Sequence, residues 1–186
     1  FNHLQSLKKN NEYLCVAFDS TVESFRNKLF TEYKSSNHID PEILQQFPLA
    51  EEVTDLLGIT LLSMKEYEAD DGIASVCSLF ENEFNKIIIG SLDKDLMQCV
   101  KKDKIIMYST RYKNFTNENG VFEKFGVSPE QIPDFLALIG DSSDGIPGMK
   151  GIGQKTAAEL LQKYKNIEEI YENIEIWKTE PRAGER

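Results

Sequence analysis

Carboxylates recur in this sequence at places where a folded chain can bring them together. Glu68, Asp70 and Asp71 put three acids into four residues. Asp93 and Asp95 flank Lys94, and Asp141 and Asp144 flank Ser142 and Ser143 just ahead of Gly145-Ile146-Pro147-Gly148. Side chains two apart in a tight or extended segment can turn toward one cation, as alternate ligands do in calcium loops. Each segment also has an ordinary structural account. Acids in a first helical turn complement the helix dipole, and Asp70 or Asp71 would serve as a cap. Asp93 and Asp95 fit a solvated turn, and the glycines and proline near 145–148 are turn chemistry. Three mutually repelling carboxylates exceed what a cap needs, so for Glu68 to Asp71 a shared cation and a cap stand about level. Recurrence favours metal binding over unrelated turns.

A second kind of chemistry is written into Lys150, Gly151, Gly153, Gln154, Lys155 and Thr156. Glycines let a backbone approach a phosphate closely, a helix N-terminus offers free N–H groups, and two lysines add positive charge. A tight interhelical turn would need the same glycines, and nothing here reads base identity.

These side chains need elements to position them. The apolar run Tyr13 to Phe18 predicts a strand ending at Asp19, the edge at which open α/β sheets place ligands; taken alone, Asp19 is better explained as a turn former. A helix should follow, capped by Thr21, with Glu23 in its first turn and Val22, Phe25, Leu29 and Phe30 as its apolar stripe, ending near Tyr33 and Lys34. Residues 35–48 are polar and broken by Pro41 and Pro48, which suits a mobile excursion, and a helix from Pro48 to Leu57 should stop at Gly58. Ile73, Val76, Cys77, Phe80 and Phe84 share one helical face, Lys86 to Gly90 reads as a fully buried strand and Lys104 to Ser109 as another. Strand, helix, strand is the pattern of a parallel sheet. Beyond Asn114 the chain reads as a helical lobe, with helices at 120–125, 129–139 and 154–164 and Ala157, Ala158, Leu161 and Tyr164 as a packed face.

Composition sets limits. With 186 residues, 40% of them hydrophobic, the chain can bury one core with a smaller lobe attached. A net charge of -10 argues against a nucleic-acid partner unless the acids are gathered where bound cations reverse the local sign. No apolar run approaches the roughly 20 residues of a membrane span, and the opening residues lack a signal peptide's basic region, so the chain reads as soluble. Cys15, Cys77 and Cys99 form no CxxC pair, and His3 and His38 are too few for a zinc site, which points to a reducing compartment.

Together these motifs resemble the 5′ nuclease family, which takes in the exonuclease domains of bacterial DNA polymerase I, phage 5′ nucleases and flap endonucleases, with the polymerase I domain nearest. The resemblance is carried by Glu68-Ala-Asp70-Asp71, Asp93-Lys-Asp95, the stretch Asp134 to Gly148, and Gly151-Ile-Gly153-Gln-Lys-Thr-Ala157, in the family's order, and it runs from Phe1 to about Tyr171. It implies an α/β fold with a mostly parallel central sheet flanked by helices, a helical arch, and a C-terminal helix-three-turn-helix lobe. Residues 1–113 would form the nuclease core, including the arch at 26–57, and residues 114–186 the helical lobe. It implies that Asp19, Glu68, Asp70, Asp71, Asp93, Asp95, Asp141 and Asp144 bind two Mg²⁺ or Mn²⁺ ions directly or through water. Arg26 and Lys34 would be catalytic residues facing the scissile phosphate at the base of the arch. The Lys150 to Thr156 turn would grip duplex DNA by its backbone, with K⁺ as a bridging ion. The implied activity is hydrolysis of DNA carrying a free 5′ end, a flap or a branch, as 5′ to 3′ exonuclease and flap endonuclease. A monomer is implied, fused to or working with a DNA polymerase, in bacterial cytoplasm or nucleoid or in an organelle with bacterial-type replication.

Two departures stand out. The family opens with a strand ending in a ligand Asp, whereas this chain opens inside the following helix, so a preceding segment is expected. Relatives carry Arg shortly after the Tyr-Lys pair, where this chain has Ser35, Ser36, Asn37 and His38, which weakens the arch's positive charge. The resemblance places no motif in residues 176–186. The competing readings are a non-catalytic binder of branched DNA that retains the fold, and a metal-dependent phosphatase or RNA nuclease. The near-complete carboxylate set argues against the first and the helix-three-turn-helix pattern against the phosphatase.

Overall fold

The computed structural model describes residues 2–19, 23–35 and 40–174. Described residues up to Asn82, together with Ser143–Ile146, form one compact unit; those of Glu83–Ser142 and from Pro147 onward form a second.

In the first unit, α1 (Asn2–Asn10) has no buried residue. Strand β1 (Cys15–Phe18) follows, as its apolar run predicts. Helix α2 (Phe25–Leu29) is capped by Ser24 and ends sooner than its apolar stripe implies, because Phe30 is extended (φ −143°, ψ 102°) and residues 31–35 form turns. Thr21 and Val22 lie outside the described residues, as do residues 36–39. Asp40 caps the short α3 (Pro41–Leu44), its Oδ1 accepting from the Glu42 N–H at 2.9 Å. Helix α4 (Phe47–Leu56) takes Pro48 in its first turn and stops before Gly58, at φ 61°. Lys8 donates to the Leu57 and Gly58 carbonyls at that end. Strand β2 (Thr60–Ser63), too short for its periodicity to announce it, pairs in parallel with β1, Cys15 opposite Thr60 and Phe18 opposite Ser63. Helices α4 and α5 (Ala69–Phe80) pack on this ribbon. Ile59 and Cys77 are buried there, and buried Thr54 bonds the Ala50 carbonyl at 2.7 Å.

In the second unit, β3 (Ile87–Gly90) runs parallel to β4 (Ile105–Ser109). The expected full burial of β3 does not hold: Ile89 is 4% exposed but Ile88 is 48% exposed, so the strand alternates between a packed and an open face. A 3₁₀ turn at Asp95–Cys99 buries Leu96 and Met97, which join the core with Ile105, Ile106 and Met107. Residues 114–116, expected to begin the helical lobe, instead form the antiparallel strand β5 (Asn114–Thr116), with Tyr108 and Phe115 opposite each other and their rings 4.9 Å apart. The lobe comprises α6 (Glu118–Phe125), a 3₁₀ turn at Pro129–Gln131 leading into α7 (Ile132–Ile139), α8 (Gln154–Tyr164) and the unanticipated α9 (Ile167–Glu172). Helix α7 packs on α8 and α8 on α9. Val121, Val127, Ile132, Phe135, Leu138 and Leu161 are each at most 2% exposed, and Ala157, Ala158 and Tyr164 are buried as their spacing predicts. Between α7 and α8, β6 (Gly140–Asp141) and β7 (Ile146–Pro147) close a tight turn.

Among the described residues, β1 and β2 form a parallel pair in the first unit, and β3, β4 and β5 form a mixed sheet in the second. No described helix is long and apolar enough to cross a membrane.

Candidate functional site

In the first unit the acids gather at the N-terminus of α5. Glu68 is its N-cap residue, and the Glu68 N–H donates to Asp71 Oδ2 at 2.9 Å. Asp19, just past β1, accepts from the Ala69 N–H at 2.6 Å, so the carboxylate at the strand end lies against the start of the helix. Asp70 is half-buried in the first turn. The capping account of this cluster is met, with Glu68 rather than Asp70 or Asp71 as the N-cap residue, and the strand-end Asp19 stands against the same turn.

Basic and hydroxyl groups meet them. The Arg26 guanidinium grips Asp71 with two bonds of 2.8 Å, the paired geometry in which this interaction is strongest. Glu68 Oε1 accepts from Ser24 Oγ at 2.7 Å, and Oε2 accepts from Lys34 Nζ at 2.6 Å and from the Tyr33 hydroxyl at 3.1 Å. The bond from Arg26 holds the Asp71 carboxyl below its ordinary range. Burial alone would raise the Glu68 pKa, but the bonds from Lys34 and Ser24 outweigh it and lower it. For Arg26 the Asp71 bond dominates and raises the pKa; Lys34 is also raised, its bonds to Glu68 and Tyr33 overcoming burial. All four groups are thus charged across neutral pH.

In the second unit, Asp95 and Asp141 bring carboxylate oxygens within 4.8 Å of each other. That spacing suits two oxygens around one hard cation at about 2.0–2.6 Å each, and a donor set of carboxylates without His or Cys is the kind that Mg²⁺ or Mn²⁺ prefers. Lys94 Nζ lies 2.7 Å from Asp141 Oδ2, and its pKa is raised by that bond. Asp93 plays a different part: it is exposed, and its Oδ1 accepts from the Asp95 N–H at 2.9 Å, which shapes the loop that presents Asp95. Asp144, three residues beyond Asp141, packs with the first unit, where its carbonyl accepts from the Lys34 N–H at 2.9 Å.

The glycine-rich turn ahead of α8 is built by close approach. A Cβ on Gly148 would stand 2.1 Å from the Ile139 carbonyl oxygen, so no other residue fits there. Gly151 sits at φ 82°, and neither Gly151 nor Gly153 has any neighbour within 4 Å of where a Cβ would be. Gly153, as N-cap, gives α8 no side-chain acceptor. Lys150, Gln154 and Lys155 are exposed and Thr156 is half-buried, so the turn presents open backbone flanked by two lysines. Lys155 is 4.0 Å from Glu159 one turn on.

The sequence matches the family model for the N-terminal resolvase-like domain of 5′-3′ exonuclease over residues 1–126, and that for its C-terminal SAM fold over residues 127–185. The chain belongs to the 5′-3′ exonuclease family. It is 41% identical over 178 residues to a 5′-3′ exonuclease of Aquifex aeolicus, an alignment that covers 95% of this chain and 61% of that protein. It is 39% identical over 171 residues to DNA polymerase I of Caldicellulosiruptor bescii, covering 88% of this chain and 20% of the polymerase. In fold it is similar to a bacteriophage T5 5′-exonuclease solved with bound zinc, with a TM-score of 0.80 at 23% identity, over 93% of this chain and 69% of that one. The chain thus spans about three-fifths of the length of its exonuclease relatives. A resolvase-like α/β domain followed by a SAM-like helical domain is the fold that the motifs implied.

Within this family member, three residues take part that the sequence reading passed over. Ser24 carried a legible local signal, a Ser three residues ahead of Asn27 that forms a capping box, but its bond to Glu68 is long-range and left no trace in the sequence. Tyr33 is 6% exposed with its hydroxyl on Glu68, which local periodicity would assign to packing alone. Lys94 stood in the sequence only as the residue between Asp93 and Asp95, and its pairing with Asp141 depends on the fold.

Proposed function

We propose that this chain carries most of a structure-specific 5′ nuclease, which hydrolyses DNA phosphodiester bonds as a 5′ to 3′ exonuclease and flap endonuclease and leaves a 5′ phosphate. The observation that carries this reading is the placement of carboxylates just after the C-terminal ends of β1 and β3, in a chain of the 5′-3′ exonuclease family. Asp19, Glu68, Asp70, Asp71, Asp93, Asp95, Asp141 and Asp144 are the proposed ligand set for two divalent cations, Mg²⁺ or Mn²⁺, directly or through water. Such ions, when bound, lower the pKa of water and neutralise charge on the phosphate.

The chain's own residues do the positioning. Ser24, Tyr33 and Lys34 fix the rotamer of Glu68, and Arg26 fixes that of Asp71. Arg26 and Lys34, each about one-third exposed, keep donors beyond those spent on carboxylates and are the proposed partners of the scissile phosphate at the base of an arch. The exposed backbone of Gly151 and Gly153, with Lys150, Gln154, Lys155 and Thr156, suits the phosphates of a duplex, and K⁺ is the proposed bridging ion there. The proposed substrate is DNA with a free 5′ end, a flap or a branch. The polymerase I relative supports fusion to, or cooperation with, a DNA polymerase, and the bacterial relatives support a bacterial setting, in which the proposed species is a monomer acting in cytoplasm or nucleoid.

The test is a 5′-labelled flap duplex incubated with the protein, with and without Mg²⁺, beside an Asp141→Asn, Asp144→Asn variant. Metal-dependent release of the flap, reduced at least about 10²-fold in the variant, is expected. Tight binding with no cutting in Mg²⁺ or Mn²⁺ would overturn the catalytic reading and leave a binder of branched DNA.

A further inference from the structure

The turn that carries Lys34 rests on a distant turn of the same unit, and the contact leaves no room for a side chain. Lys34 sits at φ 52°, a left-handed conformation that a lysine adopts only when its surroundings hold it there. Its N–H donates to the Asp144 carbonyl at 2.9 Å. The next residue, Gly145, is at φ 73°, and a Cβ on it would stand 2.8 Å from the Glu32 carbonyl oxygen and 3.9 Å from the Lys34 nitrogen. The Glu32 oxygen is the atom in its way, and being backbone it cannot swing aside, whereas the Lys34 nitrogen is at ordinary contact distance. From this seat Tyr33 and Lys34 reach the Glu68 carboxylate.

We propose that Gly145 is a positioning residue. Its bare backbone lets the Asp144 carbonyl hold the Lys34 N–H, and that seat sets where the Lys34 ammonium and the Tyr33 hydroxyl meet Glu68. The 144–145 turn then does two jobs, offering the Asp144 carboxylate on its side-chain side and seating the base of the arch on its backbone side. A side chain at 145 would lift residues 32–34 as a body and withdraw both donors from Glu68. The catalytic consequence rests on the nuclease reading above; the seat itself does not.

Two readouts separate the two. Amide hydrogen exchange on the wild-type chain should find the Lys34 N–H protected at least about 10²-fold relative to a free peptide, and Gly145→Ala should remove most of that protection. A Lys34 amide that exchanges freely in the wild type would overturn the seat whether or not the variant folds. In flap cleavage, Gly145→Ala should lower kcat by about 10²-fold with KM little changed, the scale of a misplaced catalytic group. In a Lys34→Ala background the same change should cost less than about threefold, because the group it displaces is already gone. Equal losses in both backgrounds would overturn the proposal and place the effect in general folding or in the Asp144 carboxylate. Should the wild type cut no substrate, the nuclease reading fails, and the exchange of the Lys34 amide alone decides the seat.

Discussion

At Asp71 two 2.8 Å bonds from one guanidinium do the work that a sequence can only hint at. Because Arg26 holds the folded-state pKa of Asp71 below the unfolded value of about 3.9, the pair contributes stability above that pH and loses it as pH falls through the lower, folded value. Both side chains remain partly exposed, 32% and 23%, so solvent screening limits the contribution to about 1 kcal/mol. Arg26→Gln should therefore lower the stability measured by urea unfolding in EDTA by about that amount at pH 7, and the deficit should shrink below about pH 4 as Asp71 becomes protonated in both proteins. A small deficit should persist at all pH values, since the guanidinium also lies 4.7 Å from the Phe25 ring centre. A deficit that does not change between pH 7 and pH 3 would show that the ion pair is not its source. Residue types were legible here and pairings were not. Glu68 and Asp71 announced themselves by density of charge, but a caps-or-cation question could be asked only of the segment, while its answer depends on Arg26 and Lys34 arriving from another part of the chain.

Among elements, the segment from α7 to α8 shows how far local chemistry can be read and where it stops. Gly148 looked like turn chemistry, and the fold gives the stricter reason: the Met149 N–H reaches back to the Leu138 carbonyl at 2.9 Å, and that approach presses Gly148 against the Ile139 carbonyl. Gly148→Ala must move backbone rather than a side chain, so it should destabilise the second unit by about 3 kcal/mol or more. Thermal unfolding followed by the near-ultraviolet signal would test this; a midpoint within about 2 °C of wild type would mean the turn yields at little cost. Helix α8 formed where its periodicity put it, because packing and periodicity agree there, and α5 formed along its stripe as far as Phe80, with Phe84 left beyond its end. The elements that went unread are short. Strands β2 and β5 have four and three residues, too few to establish a period, and each exists through its pairing partner. Helix α2 ended early for a related reason: its stripe favours continuation past Leu29, but an extended Phe30 and the seating of Lys34 on the 144–145 turn take the chain out of the helix.

For the molecule as a whole the open question is how a chain with 31 acidic and 21 basic residues would hold DNA. Affinity for phosphates comes from cations free to displace counterions, so the location of each lysine and arginine matters more than the total. Arg26, Lys34 and Lys94 are already engaged with Asp71, Glu68 and Asp141, and neutralising a neighbouring carboxylate leaves little charge for a distant duplex. Lys150 and Lys155 are differently placed, both exposed beside open glycine backbone, with Lys155 only loosely approached by Glu159 at 4.0 Å. The salt dependence of binding should therefore reside mainly in the α8 turn. Each phosphate contact contributes about 0.9 to the slope of log K against log salt, so Lys150→Ala with Lys155→Ala should make that slope shallower by about 2, while Arg26→Gln should change it by less than about 0.5. Fluorescence anisotropy with a duplex carrying no flap, in Ca²⁺ and across about 50–200 mM salt, measures this without cleavage. If the lysine pair leaves the slope unchanged and Arg26→Gln lowers it, then the engaged cations release their carboxylates when DNA arrives, and the ion pairs at α5 are a resting arrangement that substrate displaces.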